Sequence, residues 1–216
     1  MNTTIYQDLI LFIKRPQIIR AVAPLSLENF FLLLMITFGL VIPYGLLLEF
    51  MGVGEFDNIL QEMIRDQKAL VLVLVIVLAP LLEETIFRYH LSLQKKAVMW
   101  SLIVSVFLIS QLWVIGVGLM LYLLILLILV IKDKAPSLHI VVYLSAFFFG
   151  IVHLGNYRDF DFLGNFYWIP FLVLIQFGLG LLLSFIRLHY GLLKAMLFHG
   201  VYNAVLAVPA VLIGVD

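Results

Sequence analysis

A chain of 216 residues that is 64% hydrophobic and only 12% charged cannot cover itself with a soluble surface, so a water-soluble domain is excluded and an all-α integral membrane protein is expected. The formal net charge of zero gives no electrostatic case for a nucleic-acid partner. The absence of cysteine excludes disulfides, thiolate metal sites and cysteine nucleophiles.

The N-terminus, Met1 to Ile5, has no basic stretch and no small-residue cleavage site, so no signal peptide is expected. Residues 5–20 are mixed and basic and predict a helix lying in the membrane interface, within an N-terminal segment 1–26. A first span is expected over Leu27–Leu48. The acidic connection from Glu49 to Lys68 (Glu49, Glu55, Asp57, Glu62, Asp66) leads to a second span, Ala69–Phe87. Arg88, Lys95 and Lys96 make the next connection basic. The uncharged run Val98–Ile131 is too long for one untilted span, and a break near Gly116-Val117-Gly118 would make it a hairpin of two short helices. Lys132 and Lys134 cap it. Spans over Leu138–His153, Trp168–Ile186 and Ala195–Ile213 follow, with Arg158, Asp159 and Asp161 in one connection and Arg187, His189 and Lys194 in the other. This predicts a polytopic helical bundle of about seven spans plus the interfacial helix, as one membrane domain over 1–216. The basic segments (Lys14/Arg15/Arg20, Arg88/Lys95/Lys96, Lys132/Lys134, Arg187/Lys194) then share one side, which predicts a cytoplasmic N-terminus and a C-terminus on the opposite side.

Chemistry is concentrated in Ala79 to Arg88, where Glu83 and Glu84 follow a run, Ala69 to Leu78, without a polar side chain. A charge at membrane depth costs about 2.5–3.5 kcal/mol even on lenient scales, so such residues are paired or functional. On a helix, Glu84 and Arg88 share a face, with the acid first, the favoured order. Glu83 points about 100° away and has no local partner. Pro80 removes a backbone donor and frees the carbonyl of Ile76, so a kink or break is expected just before the carboxylates. Elsewhere the strong polar groups within spans are His153, with Asn156 just beyond it, and the pair His199 and Asn203, one helical turn apart. Taken singly, each has a plain structural explanation, because polar residues join helices in bilayers. His90, His139 and His189 fall at span ends and are expected at the interface. Phe147, Phe148 and Trp168 are expected in packing or anchoring.

Glu83 to Arg88 fits E-E-x-x-x-R, Phe149 to His153 fits F-x-x-x-H, and His199 to Asn203 fits H-x-x-x-N, in that order. With these motifs the chain resembles the CAAX protease and bacteriocin-processing family, also called the Abi family, of intramembrane endopeptidases. The resemblance covers 69–206, the family-like catalytic core. Many members have Gly where this chain has Tyr89, and the CAAX proteases tend to have a second Asn where it has Tyr157, with Asn156 one residue earlier. These departures bear on the substrate rather than on the chemistry.

The resemblance implies that Glu83 takes a proton from water, that His153 holds and polarises that water, and that His199 and Asn203 donate to the tetrahedral oxyanion. Glu84 and Arg88 support the site as a pair. No cofactor or metal is implied, and the substrate would be a peptide or protein, lipidated in the CAAX case, met within membrane lipid. Other chemistry stays open on the residues alone. Glu83, His153 and His199 can supply three ligands to a zinc peptidase, although there is no H-E-x-x-H. Buried Glu and His also mark proton-coupled transporters. A catalytically inactive immunity or binding protein would use the same scaffold. One conflict attends the span reading: Glu83 and His199 lie toward the basic side, but His153 lies near the far end of its span. They meet only if that helix begins late, tilts or kinks near Gly150.

Overall fold

The computed structural model describes residues 4–17, 23–53, 59–108, 113–158 and 160–213. Hydrocarbon offers no hydrogen bonds to a backbone, so a spanning segment must satisfy its own N–H and C=O groups, and the apolar runs coil into helices. The described residues form α1 (Ile5–Lys14), α2 (Leu27–Phe50), α3 (Ile59–Asp66), α4 (Lys68–Val73), α5 (Ala79–Phe87), α6 (Lys95–Val104), α7 (Trp113–Ile131), α8 (Leu138–Val152), α9 (Ile169–Tyr190) and α10 (Leu192–Ile213). A π-helical segment, Leu74–Leu78, joins α4 to α5 in one rod that continues through a 3-10 turn to Ser92. Counting that rod once, six helical segments among the described residues are long and apolar enough to cross a membrane: Leu27–Phe50, Lys68–Ser92, Trp113–Ile131, Leu138–Asn156, Phe166–Tyr190 and Leu192–Ile213. With its 3-10 extension Ser105–Leu108, α6 adds a shorter apolar segment of about 23 Å, against a hydrocarbon core of about 30 Å. The protein is an all-α, multi-pass membrane bundle.

The break in the 98–131 run does not fall at Gly116-Val117-Gly118. Those residues lie inside α7, and the helical path is interrupted earlier, by the 3-10 turn after Val104. Gly116 is buried, and a Cβ on Gly118 would stand 3.6 Å from Phe148 Cε1. In hydrocarbon the need to keep the backbone bonded outweighs glycine's weak helix propensity, so the helix continues through them. The acidic connection 49–68 contains the helix α3. Arg187, His189 and Lys194 are helical too, because α9 runs to Tyr190 and α10 starts at Leu192. Only Gly191, at φ 94°, separates them, and basic side chains suit the negative end of α9. His90 is not interfacial: the second span runs past it, and it is fully buried, donating from Nδ1 to Ile86 O at 2.9 Å with the Tyr122 hydroxyl 3.2 Å from Nε2. The helix expected over 5–20 appears as α1 and ends at Lys14. Arg20, Glu55, Asp57 and Asp159, parts of the predicted charge pattern, lie outside the described residues.

α9 is the centre of the bundle. Leu179 to Ile186 is buried throughout, apolar but for Ser184, whose hydroxyl donates to Gly180 O, as suits a surrounded helix. α8 lies close against it because two contact residues lack side chains. A Cβ at Gly150 would stand 2.8 Å from Val173 Cγ1, and one at Gly180 would stand 3.1 Å from Ala146 Cα. Close backbone approach through small residues is how bilayer helices gain dispersion contact. α1 caps α9 from outside, with Phe12 edge-on to Phe185 at 5.6 Å. Around this core, α8 and α10 both lie against α5.

Candidate active site

The rod that carries Glu83 does not break at Pro80; it widens. Ala79 N–H donates to Leu74 O, five residues back, so the disturbance expected before the carboxylates takes the form of a π-helical segment. In that register the carbonyl of Val75 would receive its donor from residue 80, and proline has none. Asn203 fills the vacancy, donating from Nδ2 to Val75 O at 2.8 Å. One turn earlier on α10, a Cβ on Gly200 would stand 2.7 Å from Ile76 O. Only glycine lets the α10 backbone approach the proline-disturbed segment this closely. Pro80, Gly200 and Asn203 therefore form one fitting, and it sets the height of His199.

The two carboxylates have different surroundings. Glu84 is fully buried, with Arg88 Nη1 3.5 Å from its Oε1. The Arg88 guanidinium, also buried, lies 3.9 Å above the Phe149 ring, a desolvated cation–π contact. Glu84 Oε1 has a second partner, His199 Nδ1 at 3.0 Å. An ionised carboxylate only accepts, so Nδ1 carries the hydrogen, and Nε2 faces Glu83 Oε2 at 3.8 Å. His199 thus stands between the two glutamates, hydrogen-bonded to Glu84 and facing Glu83. The Glu83 side chain is 21% exposed, whereas that of Glu84 is 0%. One carboxylate is locked in and the other is open. His153 donates from Nδ1 to Phe149 O at 2.6 Å, which leaves the Nε2 lone pair for a ligand.

The conflict over depth resolves through register. Phe149 lies against Phe87 at 5.4 Å, and Ser145 Oγ donates to Phe87 O, so these parts of α5 and α8 are level. The two helices lie antiparallel there. Four residues back from Phe87 is Glu83, and four residues on from Phe149 is His153, so one step along each reaches the same height. Depth measured from span ends misjudges this, because the rod of Glu83 extends past Phe87 to Ser92. Phe149 also meets His199 at 5.9 Å and His153 at 4.7 Å, so the motif phenylalanine is the wedge around which the polar groups gather.

Glu83, His153, His199 and Asn203 line a single cavity of about 550 Å³. Asn156, Gln176 and Tyr202 line it as well. A second cavity, of about 220 Å³, shares Glu83, His153 and Asn156 with the first and extends toward Phe107, Leu108, Ile115 and Gly116. Gln176 and Tyr202 were not singled out in the sequence. The signal for Gln176 was present, since it is the one amide in the stretch Ile169–Ile186, where Ser184 is the other polar side chain. Tyr202 had no such signal, being one aromatic among many. Among the described residues, no three His, Asp or Glu side chains are placed to hold a metal ion.

A protein-family model described as type II CAAX prenyl endopeptidase Rce1-like matches residues 65–205, well over half of the chain. No curated protein and no solved structure matches.

Proposed function

The chain belongs to the Rce1-like family of type II CAAX prenyl endopeptidases, and on that premise we propose that it hydrolyses a peptide bond within the membrane using water activated by Glu83. One observation carries this reading: Glu83, His153, His199 and Asn203 line one cavity, and among the described residues that line it there is no Ser, Thr or Cys. Water is then the nucleophile, and the partly open carboxylate is its base.

In the proposed reaction, Glu83 accepts one proton of the water and the Nε2 lone pair of His153 accepts a hydrogen bond from the other. The water oxygen attacks the carbonyl carbon. The oxyanion accepts a hydrogen bond from the second Nδ2–H of Asn203, the first being held by Val75 O. For His199 to donate at Nε2 while Nδ1 donates to Glu84, both ring nitrogens must carry hydrogen, so its oxyanion-binding form is the imidazolium with Glu84 as counter-ion. When the C–N bond breaks, the proton on Glu83 passes to the leaving amine and the carboxylate is restored. The substrate is a peptide or protein, and a prenylated C-terminal CAAX sequence is the form proposed here.

Glu83→Gln tests this, because it keeps the shape but cannot accept the proton. Turnover is expected to vanish while the purified protein keeps its elution profile and melting temperature. Membrane proteomes of cells carrying wild type and Glu83→Gln should differ in cleavage products. Identical product sets would overturn the assignment of Glu83 as base.

A further inference from the structure

A cavity of about 370 Å³ lies between α1 and the end of α9, lined by Asp8, Leu11, Phe12, Arg15, Gln17 and His189. None of these residues lines either cavity at Glu83. Two contacts set its height. Phe12 is edge-on to His189 at 5.5 Å, and His189 is one residue from the end of α9. The Tyr143 hydroxyl, in the second turn of α8, donates to Ile13 O at 3.0 Å. α1 therefore lies where two spans end, at the level of the lipid headgroups.

The polar groups of this cavity divide by charge. Asp8 and Arg15 are seven residues apart in sequence, about 10 Å along the axis of α1. That is beyond the spacing of three or four at which helical side chains pair. Among the described residues no ion pair joins them. Each charge suits its own end of the helix dipole, but the dipole does not account for a cavity lined by both. His189 donates from Nδ1 to Phe185 O at 2.9 Å, which leaves the Nε2 lone pair as an acceptor. A carboxylate and a ring nitrogen can therefore accept here, while the Arg15 guanidinium and the Gln17 amide can donate. The two formal charges cancel, so a ligand with one charge would leave the other unmatched. A ligand with a cation and an anion of its own matches both. A primary ammonium brings three N–H donors to the two acceptors, and a quaternary one brings none. Exposed Leu11 gives an acyl chain an apolar edge beside the charged groups.

The geometry points to a site for the headgroup of a zwitterionic phospholipid with a primary amine, phosphatidylethanolamine, its phosphate on Arg15 and Gln17 and its ammonium on Asp8 and His189. The bound lipid ties α1 to the end of the central helix. The site stands whether or not Glu83 is the base of a peptidase.

The test titrates the full-length protein, delipidated in detergent, with phosphatidylethanolamine, phosphatidylcholine and phosphatidylglycerol of identical acyl chains, and reads bound lipid by native mass spectrometry. Wild type should bind one phosphatidylethanolamine about tenfold more tightly than either of the others, the loss expected when a charged hydrogen bond is missing. Asp8→Asn should erase the preference for phosphatidylethanolamine over phosphatidylglycerol. Arg15→Gln should weaken phosphatidylethanolamine and phosphatidylcholine alike, because both carry the phosphate. Equal binding of the three lipids by wild type, a comparison that needs no variant, would overturn the site. A preference for phosphatidylglycerol would overturn the zwitterion. A preference for phosphatidylethanolamine that survived both substitutions would put the lipid elsewhere and sink this assignment. Soluble phosphoethanolamine should not displace the lipid at equal concentration; if it does, the cavity takes a free headgroup and the lipid assignment falls.

Discussion

His199 has a carboxylate hydrogen-bonded to one ring nitrogen and a second carboxylate facing the other, so its orientation depends on Glu84 as much as on its own helix. Glu84 in turn is shared between His199 and Arg88 on the same oxygen. Removing either charge strands the other in a buried site, at a cost of about 3–5 kcal/mol. Glu84→Ala and Arg88→Ala should both lower yield and the melting temperature in detergent. Glu84→Ala should also lower kcat per folded molecule below that of Arg88→Ala, because it alone removes the partner of Nδ1. Equal kcat in the two variants would mean that the Glu84–His199 bond does not orient the histidine. A fully stable Arg88→Ala would remove the structural role of the ion pair.

At the scale of the element, the π-helical segment and α10 act as one unit. Asn203 has two proposed jobs, pairing the Val75 carbonyl and donating to the oxyanion, and they can be separated. Asn203→Ala leaves a carbonyl unpaired, costing about 1–3 kcal/mol, and removes a donor worth about 10²–10³ in kcat. Pro80→Ala supplies the missing N–H. The double variant should therefore regain stability without regaining activity, as a double-mutant cycle on melting temperature and kcat would reveal. Additive stability losses would show that proline does not create the vacancy that Asn203 fills. Gly200→Ala tests the same fitting from the side of α10. Its Cβ would stand 2.7 Å from Ile76 O, so the backbones must part, at about 1–3 kcal/mol. Gly178→Ala is the control, since nothing lies within 4 Å of its Cβ position. Similar melting temperatures for the two variants would refute the close approach.

For the molecule as a whole, α6 decides the topology. Six long spans put the two ends on one side; if α6 with its 3-10 extension also crosses, the ends lie on opposite sides. The charge bias of the connections favours the second arrangement, with the N-terminus cytoplasmic. A segment of about 23 Å crosses if the bilayer thins locally or flanking residues reach outward, adjustments that cost fractions of a kcal/mol per Å. Topology reporters fused to the two ends should read opposite compartments. The same compartment at both ends would mean that α6 enters and returns without crossing.

Class, approximate spans and the three motifs were legible in the sequence because each is a local quantity. Run length sets whether a helix can cross, and side chains four apart share a face whatever surrounds them. The Glu84–Arg88 pair is of this kind. The second partner of Glu84, the bond from Asn203 to Val75, the contact of Gly200 with Ile76 and the wedge of Phe149 are of another kind. Each joins helices far apart in the chain, and no periodicity within one helix encodes its height against another. The sequence could mark Pro80 as a disturbance, but the form it took depended on which carbonyl found a donor, and that donor came from α10. The position of the break in 98–131 was not legible either, since glycines that would loosen a helix in water stay helical where hydrocarbon offers the backbone no other partner. Tertiary structure decided these points because hydrocarbon penalises every unpaired backbone group alike, and only the neighbouring helices determine which groups are paired and which are left for chemistry.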